Sequence, residues 1–389
     1  MNNIKLLSIS IAGLLICASC ADSTGEDIQM VKELQKNSLD LSLDLVKEFA
    51  MSHSNGEDIT TRSTEDIHII KHEVKTFKFD LPKQINNLQH KSLNTKNSIS
   101  GDVNIYTLFF EKGGKQGYTI VSPDERINKV YAYVENGAIS DTSYNVGLAS
   151  LIYSIPLQCK KDLIDYYKIK ETAPLQATTN LKIQPVLTYI WDQGYPYNKY
   201  APACSSGGDH GHAWAGCVPV ACAMALAHIQ PDYLEQTYKV SQMLDSYTPN
   251  VINENCSWYI AGIGSMVGVK YGCDGSSANI QSICSYLNKW SIPYLYKKEN
   301  VDINKALNSL KIGRPVIAQG IRKDTKKGHA WLWTGIDCVV DSNNNLVKFN
   351  SFYCNWGWGG RSNGWFSSYE QPDPNKPAYL ADNANIYFR

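Results

Sequence analysis

One apolar run in the C-terminal half of the chain limits how it can fold. Residues Val218 to Leu226 consist only of Val, Pro, Ala, Cys, Met and Leu. A helix that is apolar on every side belongs inside a domain. Pro219 fits such a helix only in its first turn, where the missing backbone N–H costs nothing. The run therefore predicts a buried helix that begins at Cys217.

The start of this helix makes Cys217 a candidate nucleophile. The helix dipole and the free N–H groups of the first turn both favour a thiolate, the reactive form of cysteine. The same N–H groups can stabilise the negative oxygen of a tetrahedral intermediate. A cysteine beside an apolar helix is often inert packing, since free cysteine is among the most buried residue types. Cys222, further inside the helix, is predicted to be such a packing residue.

A nucleophilic thiol needs a base, and the chain has eight histidines. His329 begins the strand-like run "GHAWLWTGI" after a charged loop, so a strand can hold it at the edge of a cleft. His228 follows Cys217 on the same predicted helix at a distance of about 16 Å along the axis, too far to act on the thiol. His329 is therefore the predicted base.

A metal site is the alternative for the residues around Cys217. Cys204, His210, His212 and Cys217 form a C-x5-H-x-H-x4-C pattern of soft ligands. A metal bound to the Cys217 sulfur would prevent this residue from acting as the nucleophile. The spacing matches no strong zinc pattern, so the two histidines are predicted to line a cleft loop.

Five short motifs then carry a resemblance to a known family. In chain order they are "WDQGYPYNKYAP", "AGCVPVACAMA", "RPVIAQG", "GHAW" and "NWGWGG". In content and order they resemble the streptopain family of papain-like cysteine proteases. The resemblance spans about Pro185 to Trp365, and the upstream stretch "GYTIVSPDERINKVYAYVENGAI" resembles the family's inhibitory propeptide.

The resemblance implies a role for each matching residue. Cys217 would attack a peptide carbonyl as a thiolate, and His329 would take and later return the proton. Gln193 would support the oxyanion beside the Cys217 backbone N–H. The other implied site residues are Asn355 and Trp356, which orient and cover the imidazole, and Gly328 and Ser277, which contact the substrate. The resemblance implies no cofactor and no metal.

These observations predict an α+β chain in four parts. The order is a lipoprotein-type signal peptide (1–20), a helical segment and tether (21–64), an α+β inhibitory propeptide domain with its linker (65–182), and a papain-like protease domain (183–389). In the papain-like fold a central helix packs on an antiparallel sheet. The Pro- and Thr-rich linker "KETAPLQATTNLK" suits an activating cleavage, with Lys170 and Lys182 as the first candidate sites.

The N-terminus and the charge balance indicate where the protein works and what it contacts. The first apolar run is too short to span a membrane, and Ala18-Ser19-Cys20 resembles a lipobox. We therefore expect an exported outer-membrane or cell-surface protein held to the membrane by a lipid on Cys20. Basic and acidic residues number 37 each, so there is no basic surplus for nucleic acid.

The predicted function is a secreted or lipid-anchored cysteine endopeptidase made as a zymogen. Its partners would be protein or peptide substrates and its own propeptide, acting as an intramolecular inhibitor. Two further alternatives keep the fold: a catalytically silent surface-binding protein, and an amidase or transpeptidase that uses the same dyad. The pairing of the cysteines cannot be read from their spacing.

Overall fold

The computed structural model describes residues 25–53, 67–82, 100–169, 177–187, 189–229, 254–323, 325–367 and 380–389. The predicted signal peptide and the linker residues 170–176 lie outside this set. Within it lie six α-helices: α1 (Gly25–His53), α2 (Val146–Ile169), α3 (Cys217–Ile229), α4 (Glu254–Met266), α5 (Cys284–Lys289) and α6 (Ile303–Lys311). None of the described helices is both long and apolar enough to cross a bilayer.

The described strands form one antiparallel sheet. They are β1 (His68–Lys78), β2 (Asp102–Lys112), β3 (Lys115–Ser122), β4 (Lys129–Val134), β5 (Thr178–Ile183), β6 (Tyr294–Lys297), β7 (Val316–Arg322), β8 (Gly328–Asp341), β9 (Leu346–Asn355), β10 (Gly364–Phe366) and β11 (Leu380–Phe388). Their order is β1-β2-β3-β4-β10-β9-β8-β7-β11-β6, and β5 pairs with the far end of β8. This mixed α and β architecture is consistent with a papain-like protease.

The sheet continues from the N-terminal half of the chain (residues 25–169) into the C-terminal half. Strand β4 pairs with β10, in the register Val134 to Gly364 and Ala132 to Phe366. Strand β10 follows the motif "NWGWGG" by a few residues. The N-terminal half is therefore hydrogen-bonded directly beside one of the predicted catalytic motifs.

Helix α3 is the buried helix that the apolar run predicted. Every residue from Val218 to Ala227 is buried, and the helix packs on the sheet against Ile317 and Leu332. It begins at Cys217 because Gly216 adopts a φ of +95°, a conformation that side chains other than glycine rarely allow. Pro219 lies in the first turn, where it interrupts no hydrogen bond. The sequence-based prediction of this helix is confirmed.

Sequence reasoning missed α4, which packs against α3 through the buried side chains of Tyr259, Ile260 and Ile263. Its two glycines, Gly262 and Gly264, weaken the local helical preference. Burial of the apolar face supplies the stability that local preference lacks. Further along the chain, a 3₁₀ turn (Ile280–Ile283) leads directly into α5.

Candidate active site

Cys217 is the first residue of α3 and its side chain is half-buried. Burial raises the pKa of the Cys217 thiol, while the backbone N–H groups of Ala330, Val218 and Cys217 act in the opposite direction without cancelling it. The predicted thiolate-favouring effect of the helix start is therefore present but outweighed by desolvation. In this state the thiol is neutral.

His329 is the second residue of β8 and is only 4% exposed. Alternation along the strand places His329 and Trp331 on one face, with ring centroids 6.2 Å apart, and Ala330 and Leu332 on the other face against α3. Burial lowers the pKa of His329 to about 4, and the Trp356 carbonyl acts in the opposite direction. The imidazole is therefore neutral at pH 7.

The structure brings the candidate nucleophile and base to the same point of the fold. One of the N–H groups that reach the Cys217 sulfur belongs to Ala330, the residue after His329. Both catalytic candidates are among the described residues, and no hydrogen bond joins the thiol to the imidazole. Instead, His329 Nε2 lies 3.1 Å from the carbonyl oxygen of Trp356 and 3.3 Å from the indole nitrogen of Trp358.

Gln193 supplies a buried donor without a partner. The Asp192 carboxylate accepts hydrogen bonds from the backbone N–H groups of Gln193 (2.6 Å) and Gly194 (2.9 Å). The Gln193 carbonyl accepts from Ala215 N–H at 2.9 Å, which ties this residue to the segment just before Cys217. Its side-chain Nε2 is buried and makes no hydrogen bond. Since buried polar atoms are rarely left unpaired, an atom in this position suits an oxyanion that forms during catalysis.

We expect Gln193→Ala to lower kcat for peptide hydrolysis by about 10²- to 10³-fold, the usual cost of losing one oxyanion donor. The measurement is steady-state hydrolysis of a fluorogenic peptide by the processed enzyme. Gln281→Ala, at an exposed glutamine, is the matched control and should leave kcat essentially unchanged. A Gln193→Ala enzyme that matches this control would remove Gln193 from the oxyanion site.

Asn355 and Trp356 lie beside His329, but it is Trp356, not Asn355, that contacts the imidazole. The Asn355 side chain donates to the Tyr189 carbonyl at 3.0 Å and accepts from Gly357 N–H at 3.1 Å. It thus fixes the turn, and the carbonyl oxygen that lies at His329 Nε2 is that of Trp356. The Trp356 ring is fully buried, with its centroid 6.1 Å from the imidazole, so it can keep water from this contact.

Trp358 is a further neighbour of His329, and it was not among the predicted site residues. Its half-buried indole donates to His329 Nε2 at 3.3 Å, and its ring lies against Tyr144 of the N-terminal half, with centroids 5.1 Å apart. The repeated Trp-Gly pattern of "NWGWGG" is the one signal that marked this position.

The two predicted substrate contacts lie at the rim of the site. Gly328 is exposed and directly precedes His329. Ser277 is exposed, and its backbone exchanges hydrogen bonds with Lys270 at 3.0 and 2.8 Å. The neighbouring Ser276 hydroxyl donates to the Trp214 carbonyl at 2.5 Å, which fastens this loop to the segment before Cys217.

The metal-site alternative is wrong for the ligands that the sequence suggested. Cys204 is bonded to Cys273 with an S–S distance of 1.99 Å. His212 Nδ1 lies 3.0 Å from the Ala201 carbonyl oxygen, and His210 Nδ1 lies 3.0 Å from an Asp209 carboxylate oxygen. Within the described ranges, no three His, Cys, Asp or Glu side chains are grouped so that they could hold a metal ion. The disulfide also gives one of the pairings that the spacing left open.

Comparison with known proteins gives a family for this site. The sequence model described as "Peptidase C10 family" matches residues 228–366. This range contains His329, Asn355 and Trp356 and begins after Cys217.

Two relatives extend the comparison towards the N-terminus. The thiol protease/hemagglutinin PrtT of Porphyromonas gingivalis is 24% identical over 306 residues, covering 66% of this chain and 33% of that protein. Streptopain of Streptococcus pyogenes serotype M1 is 25% identical over 335 residues, covering 70% of this chain and 76% of that protein. The match thus spans one third of the length of PrtT. Together, these matches support membership of the peptidase C10, or streptopain, family and a cysteine-type peptidase activity.

Proposed function

We propose that this protein is an exported cysteine endopeptidase, made as a zymogen, that hydrolyses peptide bonds with a Cys217–His329 dyad. The observation that carries the proposal is the position of Cys217 at the start of a buried helix, beside the strand that holds His329. The unpaired side chain of Gln193, whose backbone is bonded to Ala215 just before Cys217, supports acyl transfer, because that reaction needs an oxyanion donor.

The proposed reaction needs no cofactor. His329 Nδ1 takes the thiol proton, and the sulfur attacks the peptide carbonyl carbon. The carbonyl electron pair moves to oxygen, which is bound by the Cys217 N–H and the Gln193 side chain. Collapse breaks the C–N bond while His329 returns its proton to the leaving amine, leaving a thioester. Water then loses a proton to His329 and attacks the thioester carbon. The C–S bond breaks, the carboxylic acid product leaves, and His329 returns that proton to the sulfur.

Protein or peptide substrates would bind along the exposed rim formed by Gly328 and Ser277. Export and a lipid on Cys20 are proposed from the N-terminal sequence. The Cys204–Cys273 disulfide supports export, because such bonds persist mainly in oxidising compartments.

Latency is proposed from contacts between the N-terminal half and the loop that follows Trp358. The buried Asp141 carboxylate accepts from Arg361 Nε at 2.9 Å and Nη2 at 2.7 Å. It also accepts from the Ser362 hydroxyl at 2.6 Å. The Ser362 N–H donates to the Asn136 carbonyl at 2.6 Å. This group of contacts, the Asp141 clamp, holds the loop from the side of the N-terminal half.

The Asp141 clamp is energetically significant. Burial alone would raise the pKa of Asp141, but hydrogen bonds from Arg361, Ser362, Tyr144 and the Ala138 N–H outweigh it and lower the pKa to about 2. A folded-state pKa below the ordinary carboxyl value contributes stability above about pH 4 that is lost as the pH falls towards 2. The shift corresponds to about 2 kcal/mol.

A second anchor joins the end of α1 to the C-terminal half. His53 Nε2 lies 3.1 Å from an Asp337 carboxylate oxygen, and the His53 ring lies 4.6 Å from that of Trp365. Lys182 Nζ donates to the Ser52 carbonyl at 2.8 Å. The N-terminal half is thus held at two separate places, which supports a stable inhibited form.

The position of β5 bears on where activation would cut the chain. Residues Thr178 to Ile183 pair with β8, from Asp341 to Ile336. Lys182 lies in this strand, and a protease needs an accessible, unpaired segment. Lys170 lies outside the described residues. We therefore propose cleavage before Thr178, which leaves β5 in the sheet of the mature enzyme.

The latency proposal predicts slow hydrolysis by the unprocessed protein. Full-length protein should cleave a fluorogenic peptide about 10²-fold or more slowly than processed protein, since a buried His329 with a pKa of about 4 is a weak base for the thiol proton. Asp141→Asn should shorten the lag before self-processing, because it weakens the clamp. Mass spectrometry of both forms would locate the new N-terminus and any lipid on Cys20.

Asp44→Asn, at an exposed residue of α1, is the control for the charge change and should keep the wild-type lag. Equal peptide hydrolysis by full-length and processed protein would overturn the zymogen proposal while leaving the dyad intact.

A further inference from the structure

His329 Nε2 has two neighbours that require opposite protonation states. The Trp356 carbonyl oxygen, 3.1 Å away, can only accept a hydrogen bond. The Trp358 indole nitrogen, 3.3 Å away, can only donate one. A protonated Nε2 donates to the carbonyl, and an unprotonated Nε2 accepts from the indole. The two contacts therefore select different tautomers of the neutral imidazole.

Only one of these tautomers can act as the base. With the proton on Nε2, Nδ1 has a free lone pair that can take the Cys217 proton. With the Trp358 N–H bonded to Nε2, the ring proton is on Nδ1, which then cannot accept another. The indole bond also disfavours the imidazolium, because an Nε2–H would then face the Trp358 N–H.

The N-terminal half packs against Trp358. The Tyr144 ring packs on the Trp358 ring, with centroids 5.1 Å apart, and the Arg361 guanidinium lies 5.9 Å from the Tyr144 centroid. Arg361 is in turn fixed by Asp141. Gly147 at the start of α2 allows the close approach, since a Cβ there would lie 2.8 Å from the Trp356 ring.

Packing alone does not account for the Trp358 contact. Trp331 also lies beside the imidazole, with ring centroids 6.2 Å apart, yet its buried indole N–H makes no hydrogen bond. Trp331 therefore shows what a purely packing tryptophan looks like next to His329. Trp358 differs from it in directing its N–H at the ring nitrogen.

We propose that Trp358 is a positioning residue that sets the tautomer of His329, and that Tyr144 and Asp141 keep its N–H on Nε2 until the N-terminal half is removed. Removal frees the indole. The ring proton then moves from Nδ1 to Nε2 through solvent, and Nε2 donates to the Trp356 carbonyl. This inference rests on the proposed latency, and it names the contact through which the N-terminal half would keep the enzyme latent.

Histidine-ring ¹⁵N NMR of the full-length chain at pH 7 tests the proposal. Cys217→Ser prevents self-processing, and His329→Gln in the same background assigns the resonance. We expect His329 Nε2 to be unprotonated in the Cys217→Ser parent. Adding Trp358→Phe keeps most of the ring but removes the N–H, so Nε2 should shift to the position of a protonated nitrogen.

Trp331→Phe is the matched control and should leave the His329 resonances at the parent positions. A protonated Nε2 in the parent, or an unprotonated Nε2 that persists in Trp358→Phe, would overturn the proposal.

A second variant guards against misfolding of Trp358→Phe. Tyr144 is exposed, so Tyr144→Ala should fold, and it should move the Nε2 resonance part of the way towards the protonated position. Tyr153→Ala, at an exposed tyrosine of α2, should leave the Nε2 resonance at the parent position. If Tyr144→Ala leaves the resonance unmoved, the N-terminal half does not set the tautomer. These measurements use an inactive chain, so their outcome is separate from the peptide hydrolysis rates that test latency itself.

Discussion

Replacing Cys217 by alanine is expected to lower kcat/KM for peptide hydrolysis by about 10⁴-fold or more, because the thioester cannot form without the sulfur. The N-terminal half would be removed in trans by a trace of wild-type enzyme, so that latency does not mask the effect. The residual rate would report what the oxyanion donors and substrate binding achieve without a nucleophile.

Cys222→Ala is the matched control on the same helix. Cys222 is fully buried, and burial raises the pKa of its thiol, so this residue packs in the core and takes no part in catalysis. The Cys222→Ala enzyme should keep most of the wild-type activity. Iodoacetamide should modify Cys217 of the processed enzyme and spare Cys222. Substantial hydrolysis by Cys217→Ala, or modification of another cysteine that tracks loss of activity, would remove Cys217 as the nucleophile.

The helix that carries Cys217 could be predicted from sequence because its rules are local. An apolar run buries itself, a proline marks the first turn, and a glycine before the cysteine allows the chain to enter the helix. The strand that carries His329 followed similarly from its apolar pattern and the loop before it. For both catalytic candidates, the short-range pattern was sufficient to give their place in an element.

The partner of His329 Nε2 could not be predicted in the same way. The closest group is the Trp356 carbonyl, and every residue has a carbonyl, so no residue type marks it. The Asn355 side chain was the expected partner because of its chemistry. It instead donates a hydrogen bond to the Tyr189 carbonyl and accepts one from the Gly357 N–H.

Contacts between distant parts of the chain were also beyond sequence reasoning. Cys204 and Cys273 are 69 residues apart, and Asp141 meets Arg361 across 220 residues. No rule of sequence spacing predicts either pair, since both depend on how the sheet brings the two halves of the chain together. The raised pKa of Cys217 is a similar case, because the amount of burial around a helix start is set by the whole fold.

Replacing His329 by alanine is expected to lower kcat/KM of the processed enzyme by about 10³-fold or more, since it removes both the proton acceptor and the proton donor of the reaction. The pH dependence of Cys217 alkylation gives an independent readout. A thiolate–imidazolium pair keeps the thiol reactive well below the ordinary cysteine pKa of about 8.5. Without His329, the alkylation rate should titrate at or above that value, because burial raises the pKa of Cys217.

His228→Ala is the control that separates loss of the base from loss of any histidine near the helix. His228 lies on α3 with Cys217, and its Nε2 is 2.8 Å from the Gly313 carbonyl oxygen, so its role is structural. The His228→Ala enzyme should keep most of its activity and the wild-type alkylation profile. If His329→Ala also kept Cys217 reactive at pH 6, the proton acceptor would have to be another group. The low pKa of His329, about 4 with the N-terminal half bound, would then mark a buried structural imidazole rather than a sequestered base.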